Sequence, residues 1–299
     1  MTKVASRSLL FLLIAAAILA VALLLQPLAA ENMTISEIAE KTHFHGIAVD
    51  PRDASRVYLA THHGFFVVGP DGMAKRVSEN ADDFMGFTPH PTDPSILYAS
   101  GHPASGGNLG IIMSTDGGRN WSRIARGVNG PVDFHQMDAS KADPKVIYGV
   151  HGDLQVSRDG GHSWRQGGTA PDGLIDLAAS AKDVNRLYAA TKGGLFVSED
   201  GGKSWRIADI LTRPTTMVQT GLDGRIYAFV VGTGLLRTTE PSLDWSVVSN
   251  DFGDNYILHL AIDPTDNRNL YAVTLEAQTR KQAILVSRDA GQTWSILGD

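Results

Sequence analysis

The chain has 299 residues and no cysteine, which excludes disulfides, thiolate metal sites and cysteine nucleophiles. Its formal net charge is −6 and it has no Lys/Arg runs, so nucleic acid is excluded as a partner class. A hydrophobic share of 43% with 31 glycines fits a turn-rich globular protein.

The first element in the chain is not part of a fold. Lys3 and Arg7 form a basic head, Leu9–Leu25 is an unbroken apolar run of 17 residues, and Ala29-Ala30 offers a small-residue cleavage site. Residues 1–30 therefore read as a secretory signal peptide, and the remainder as exported, either periplasmic or secreted. The run is long for a signal and barely long enough to span a bilayer. An uncleaved anchor on the outer face of the cytoplasmic membrane is the alternative. Once cleaved, the chain keeps no membrane span and is expected to be a monomer. Residues 31–42 form an N-terminal segment before the first repeat.

From residue 43 onward the chain repeats itself. Each unit has a strand and turn such as Ile47-Ala48-Val49-Asp50-Pro51, then a strand carrying a tyrosine: Tyr58, Tyr98, Tyr148, Tyr188, Tyr227 and Tyr271. These tyrosines are 40, 50, 40, 39 and 44 residues apart. A short apolar run follows, then the phrase Ser-x-Asp-x-Gly-x-x-Trp at Ser114–Trp121, Ser157–Trp164, Ser198–Trp205 and Ser287–Trp294. Blade five carries a worn copy, Thr238–Trp245, and the first unit keeps only Gly69-Pro70-Asp71-Gly72. Glycine at the centre of the phrase accepts positive φ, so each copy predicts a hairpin with its tryptophan buried beside the turn. Six units of four short strands predict an all-β fold, a single six-bladed β-propeller. Residues 31–42 have room to add a strand where the ring closes.

This phrase resembles the Asp-box (BNR) repeat, and residues 43–299 resemble the Asp-box β-propellers of sialidases, sortilin-type receptors and xyloglucan-degrading glycosidases. The resemblance also extends to a photosystem II stability factor and to exported bacterial proteins labelled glycosyl hydrolase. It implies the architecture and says little about activity, because the box is a folding device.

Aligning the blades on their tyrosines collects residues at one channel mouth. Thirteen residues before the tyrosine stand His45, Met85, His135, Ile175 and Leu258; fifteen before stand His43, Asp83 and Asp133. Strand side chains alternate, so these two columns are expected on one side. Phe44, Phe84 and Phe134 lie between them and read as packing between blades. The ends of the second strands add His62, His63, His102, His151 and Lys192. Eight of ten histidines, with His259, map to this face; His90 and His162 do not. The expectation is a metal site of His43, His45, Asp83, Met85, Asp133 and His135, with His62, His102, His151 and Lys192 as further ligand-binding residues. Imidazole with carboxylate suits Zn, Mn or Ni, and the Met85 thioether would suit Cu.

Two other functions remain open. Asp83 and Asp133, on adjacent blades and with Asp82 and Asp176 close by, are candidate catalytic carboxylates for a two-carboxylate glycoside hydrolase acting on a glycan. The sialidase set that the resemblance makes available is absent: there is no Arg-Ile-Pro, six of seven tyrosines are repeat tyrosines, and all five tryptophans sit in the boxes. A protein-binding or assembly-factor propeller needs no special residues and is equally compatible with the sequence.

Overall fold

Residues 32–208 and 212–299 are described in a computed structural model of the chain, and each repeat unit folds as one antiparallel sheet. The signal or anchor assigned to residues 1–30 lies outside the described residues. Six sheets form, each with its strands in sequence order, and the first gains a fifth strand, Met33–Thr34, on its outer edge. The inner strands are Phe44–Val49, Asp83–Pro89, Gln136–Ala139, Leu174–Ala179, Thr215–Thr220 and Asn255–Ile262. Each of these packs against the next, and the last against the first, so the six blades close into a propeller around a channel. Among the described residues no helix is long and apolar enough to cross a membrane.

The repeat tyrosines show why they recur. All six are buried, and three use the phenol to reach the next blade. Tyr148 donates to the Val184 carbonyl at 2.8 Å, Tyr188 to Glu240 at 2.8 Å, and Tyr271 to the Ala54 carbonyl at 3.0 Å. A phenylalanine would pack as well but would leave these backbone and carboxylate acceptors unpaired. Glu240 belongs to the worn fifth copy; in place of an aspartate that braces its own turn, it turns inward and also accepts the Ala181 amide at 3.0 Å.

Inside an intact phrase every conserved letter has a bond. Ser157 Oγ donates to Asp159 at 2.8 Å and accepts the Gly161 amide at 2.9 Å, while Asp159 accepts the Ser163 amide at 2.8 Å. Gly160 and Gly161 sit at φ of 71° and 88°, where a side chain is strained. The fourth copy places Ala290 at φ 62° in the equivalent bend. The tryptophans correct the sequence expectation, for they are only half-buried. The phrase lies on the outermost hairpin, so the indole covers one side of the blade. The N–H of Trp121, Trp164 and Trp294 closes its own turn, as Trp164 does on the Gly161 carbonyl at 2.8 Å, and that of Trp205 and Trp245 reaches back to the Thr169 and Ala208 carbonyls.

These hydrogen bonds hold Asp159, Asp200 and Asp289 down to about 2, first through the side chains of Ser163, Ser204 and Thr293. A carboxyl depressed by folding adds stability above its ordinary pKa near ~4, and that contribution is lost as pH falls through the folded value. The propeller is therefore expected to lose stability between pH ~4 and ~2. An acid titration of the circular dichroism in dilute urea checks this. Replacing Asp159, Asp200 and Asp289 together with Asn should flatten the slope, and an unchanged slope would assign the acid transition elsewhere.

Among the described residues no strand is shared across the seam of the ring. Gln282 of the sixth blade accepts the Phe44 amide at 2.8 Å and donates to its carbonyl at 3.5 Å, bridging residues 238 apart in the chain. The helix Ile35–Ala39 covers the joint from outside, started by a capping box in which Thr34 and Glu37 satisfy each other's amides. Its Ile35 and Ile38 enter one apolar cluster with Val57, Leu59 and Val68 of the first blade and Tyr271, Val273 and Ile284 of the sixth. The segment expected to add a strand does so, with that helix behind it.

Candidate metal centre at the channel mouth

The inner strands of blades one and two and the end of the first blade's second strand, Val57–Thr61, converge at one mouth of the channel. His45, His62 and Asp83 meet there, with one ligand atom from each all within 4.8 Å of one another. His62 Nδ1 lies 2.6 Å from Asp83 Oδ2, and His45 Nε2 lies 3.8 Å from Asp83 Oδ1. The His45 and His62 rings stand edge to face with centroids 4.2 Å apart. His45 Nε2 and Asp83 Oδ1 are both buried without a hydrogen-bond partner. Buried polar atoms are normally paired, and leaving one unpaired costs ~1–3 kcal/mol.

A second group adjoins the first. His102, at the end of Leu97–His102, places Nε2 3.2 Å from Asp133 Oδ2 and 3.7 Å from Asp83 Oδ2, so the two carboxylates share one imidazole. Asp133 also faces His135 Nε2 at 2.9 Å, and its backbone carbonyl accepts His151 Nδ1–H at 2.9 Å. Gly101 makes this placement possible. Its φ is 122°, and a Cβ there would lie 2.0 Å from the Asp83 carbonyl, so only glycine lets the strand bring His102 beside Asp83.

Burial decides the protonation states. It holds the His45 imidazole down to about 3, with His62, His259 and His43 adding repulsion, so His45 is a neutral lone-pair donor across the physiological range. Burial likewise lowers His259 to about 4, partly offset by the Phe44 backbone. The Asp83 carboxyl is pushed up by burial against the pull of His62. Burial also pushes Asp133 upward, but its hydrogen bond to His135 and the imidazoles of His102 and His151 bring it below the usual range. The same hydrogen bond raises His135.

The structure thus gathers His45, Asp83, Asp133 and His135 as the alignment expects, and draws in His62 and His102 from the additional ligand set. His43 does not join. It is exposed and sits edge-on to His62 with ring centroids 5.9 Å apart, because a bulge between Phe44 and Gly46 breaks the strict alternation on which that expectation rests. Met85 is buried on its inner strand, outside the hydrogen bonds and ion pairs of the cluster. His151 serves the Asp133 backbone, and Lys192 is exposed on blade four, beside Gly173. Phe44, Phe84 and Phe134 are fully buried, as packing residues should be. Asp82 is spent on its loop, accepting from Asn80 and the Ala104 amide.

Below the cluster the channel encloses about 590 Å³, with His45, His135 and His259 at one end and Asp223, Asp263 and Asn267 in the lining. Asp176 lines it too, accepts the Val218 and Leu177 amides at 2.9 Å, and is pushed up by burial to about 7. Asp138 accepts Lys141, Thr88 and the Ala179 amide, tying blades two, three and four together. Asp138 and Lys141 carry no signal in the sequence, since no other blade has a carboxylate in that column.

No protein family matches the chain, and no curated protein sequence is similar to it. Among solved structures it is similar to the GH74 enzyme of Niastella koreensis, with a TM-score of 0.61 and 15% identity over 85% of this chain and 45% of that one. The GH74 xyloglucanase of Xanthomonas campestris gives 0.55 and 19% over 85% and 45%. YCF48 bound to D1 peptide gives 0.54 and 15% over 92% and 88%. At these identities the likeness is one of fold, and the chain spans less than half the length of the two GH74 enzymes. The same propeller serves both glycoside hydrolases and a peptide-binding protein.

Proposed function

We propose that this is an exported Asp-box propeller that binds a transition-metal ion at the channel mouth through His45, His62 and Asp83. The observation that carries the reading is a preformed trio of ligand atoms within 4.8 Å in which His45 Nε2 and Asp83 Oδ1 are buried and unpaired. Two imidazoles and a carboxylate are the donor set of zinc, and of manganese or nickel. Copper would call on the Met85 thioether as well. Residues 1–30 supply the export signal, and mass spectrometry of the exported chain should find a start near Glu31; an intact Met1–Leu25 in the membrane fraction would support the anchored form instead.

Chelator-stripped protein should melt higher when Zn, Mn, Ni or Cu is added. An ion that binds only the folded state stabilises it by about 2.7 kcal/mol at a hundredfold excess over Kd. His45→Ala combined with His62→Ala should abolish the shift, and His162→Ala, on a hairpin turn, should preserve it. No shift with any of the four ions would sink the proposal.

One observation favours glycoside hydrolysis as a second reading. Asp83 and Asp133 face one imidazole, His102, from adjacent blades. Burial pushes the Asp83 carboxyl up while its imidazole partners bring that of Asp133 down, opposite directions that suit an acid and base pair. Turnover of xyloglucan or another glycan that persists in chelator and is lost in Asp133→Asn would select that reading. Peptide capture with neither effect would select the binding propeller.

A further inference from the structure

We propose that the channel mouth holds two cations, the second bound by His102, His135 and Asp133, with Asp83 bridging to the first. This rests on the single-ion reading and extends it. The argument begins with the one-blade step that relates the two groups. His62 and His102 each stand four residues after the tyrosine of their blade, and Asp83 and Asp133 each stand fifteen before the tyrosine of the next. The first trio is therefore an imidazole from the end of one blade's second strand facing a carboxylate from the following blade's inner strand. Rotating by one blade reproduces that pair as His102 and Asp133, at 3.2 Å. Met85 takes the place of His45 in the rotated copy, and His135, from the third blade, supplies the second imidazole.

The contacts at each carboxylate are close to those an ion requires. Ligands held at about 2.0–2.2 Å around a tetrahedral centre lie roughly 3.3–3.6 Å from one another. Around the second position the contacts to Asp133 are 3.2 Å from His102 and 2.9 Å from His135, and His102 lies 3.7 Å from Asp83. Among the described residues only the first trio brings all its ligand atoms within 4.8 Å, so the exposed His135 ring must turn toward His102 to close the second. Asp133 is 4% exposed, and its Oδ1 is buried with no hydrogen-bond partner, a second orphan acceptor one blade from that of Asp83. Asp83 Oδ2 faces both His62 and His102, which places one carboxylate between the two positions. Each carboxylate has its own orphan oxygen, and one ion at the first trio would leave that of Asp133 unsatisfied.

Isothermal titration of the chelator-stripped full chain with Zn²⁺, backed by elemental analysis after dialysis, tests the count. Wild type should bind two ions per chain. His102→Ala with His135→Ala should bind one, and His45→Ala with His62→Ala should also bind one. Should an alanine pair fail to fold by circular dichroism, the glutamine pairs replace it, and the wild-type count decides on its own. One ion in wild type that survives loss of His102 and His135 overturns the second position and leaves the first standing. One ion lost in both pairs means a single composite site and overturns the inference as well. No ion at all overturns both this inference and the reading on which it rests.

Discussion

Replacing Ile38 with alanine should destabilise the propeller by about 2–5 kcal/mol, the range for emptying a buried isoleucine site. Ile38 is 1% exposed and lies in the cluster that joins the first and sixth blades. The loss acts where no ladder of backbone bonds compensates, because each blade's sheet is complete within itself and the seam is held by side chains. Urea denaturation measures the change. Hydrogen exchange should then show early opening in Asn255–Ile262 and Phe44–Val49, the two inner strands that meet there. A loss below about 1 kcal/mol, or uniform opening of all six blades, would mean that the helix Ile35–Ala39 merely rests on the surface.

Phe134→Ala should cost about 3–5 kcal/mol. The ring is fully buried, stacks at an angle on Trp164 with centroids 4.9 Å apart, and presses on the backbone of Gly149. A Cβ on Gly149 would lie 2.6 Å from that ring, which explains why the third blade has Tyr-Gly where four others have Tyr-Ala and the first has Tyr-Leu. From that contact, Gly149→Ala should destabilise by overpacking, about 1–3 kcal/mol, and Phe134→Leu should relieve part of that penalty. Melting curves of the two singles and the double form a cycle. Strict additivity would show that the ring and the glycine are not coupled. Phe134 lies between Asp133 and His135, so its loss should also weaken ion binding by loosening both neighbours.

The architecture was readable because its causes are local. A glycine that must bend, a serine and an aspartate that brace the bend, and a buried tyrosine recur about once in every 39–50 residues, and each is visible as a letter in the sequence. The site was readable only in part. Asp83, Asp133, His45 and His135 come from columns that the tyrosine alignment preserves. His43 was placed by a period of two that the bulge at Phe44 and Gly46 breaks, and a bulge leaves no mark in these residues. The partnership of His62 with Asp83 joins different blades, and the approach of neighbouring blades is set by packing rather than by spacing. The half-exposure of the tryptophans was hidden for a related reason: the pattern locates the hairpin but not the outer face on which it lies.

The seam has a consequence for the order in which this molecule assembles. Every blade is built from one continuous stretch, so most strand pairing joins near neighbours in sequence and incurs little loop-closure entropy. The contacts across the seam are the exception, the Phe44–Gln282 bridge spanning 238 residues and the Tyr271–Ala54 bond 217. Blades should therefore form early and the ring should close last, with the seam largely absent from the transition state. Contacts made after the barrier govern unfolding rather than folding. Weakening Gln282 or Ile38 should speed unfolding and leave the refolding rate nearly unchanged. A chain rejoined across the seam and cut between two other blades would retain every ladder and carry the slow-closing joint to its new position.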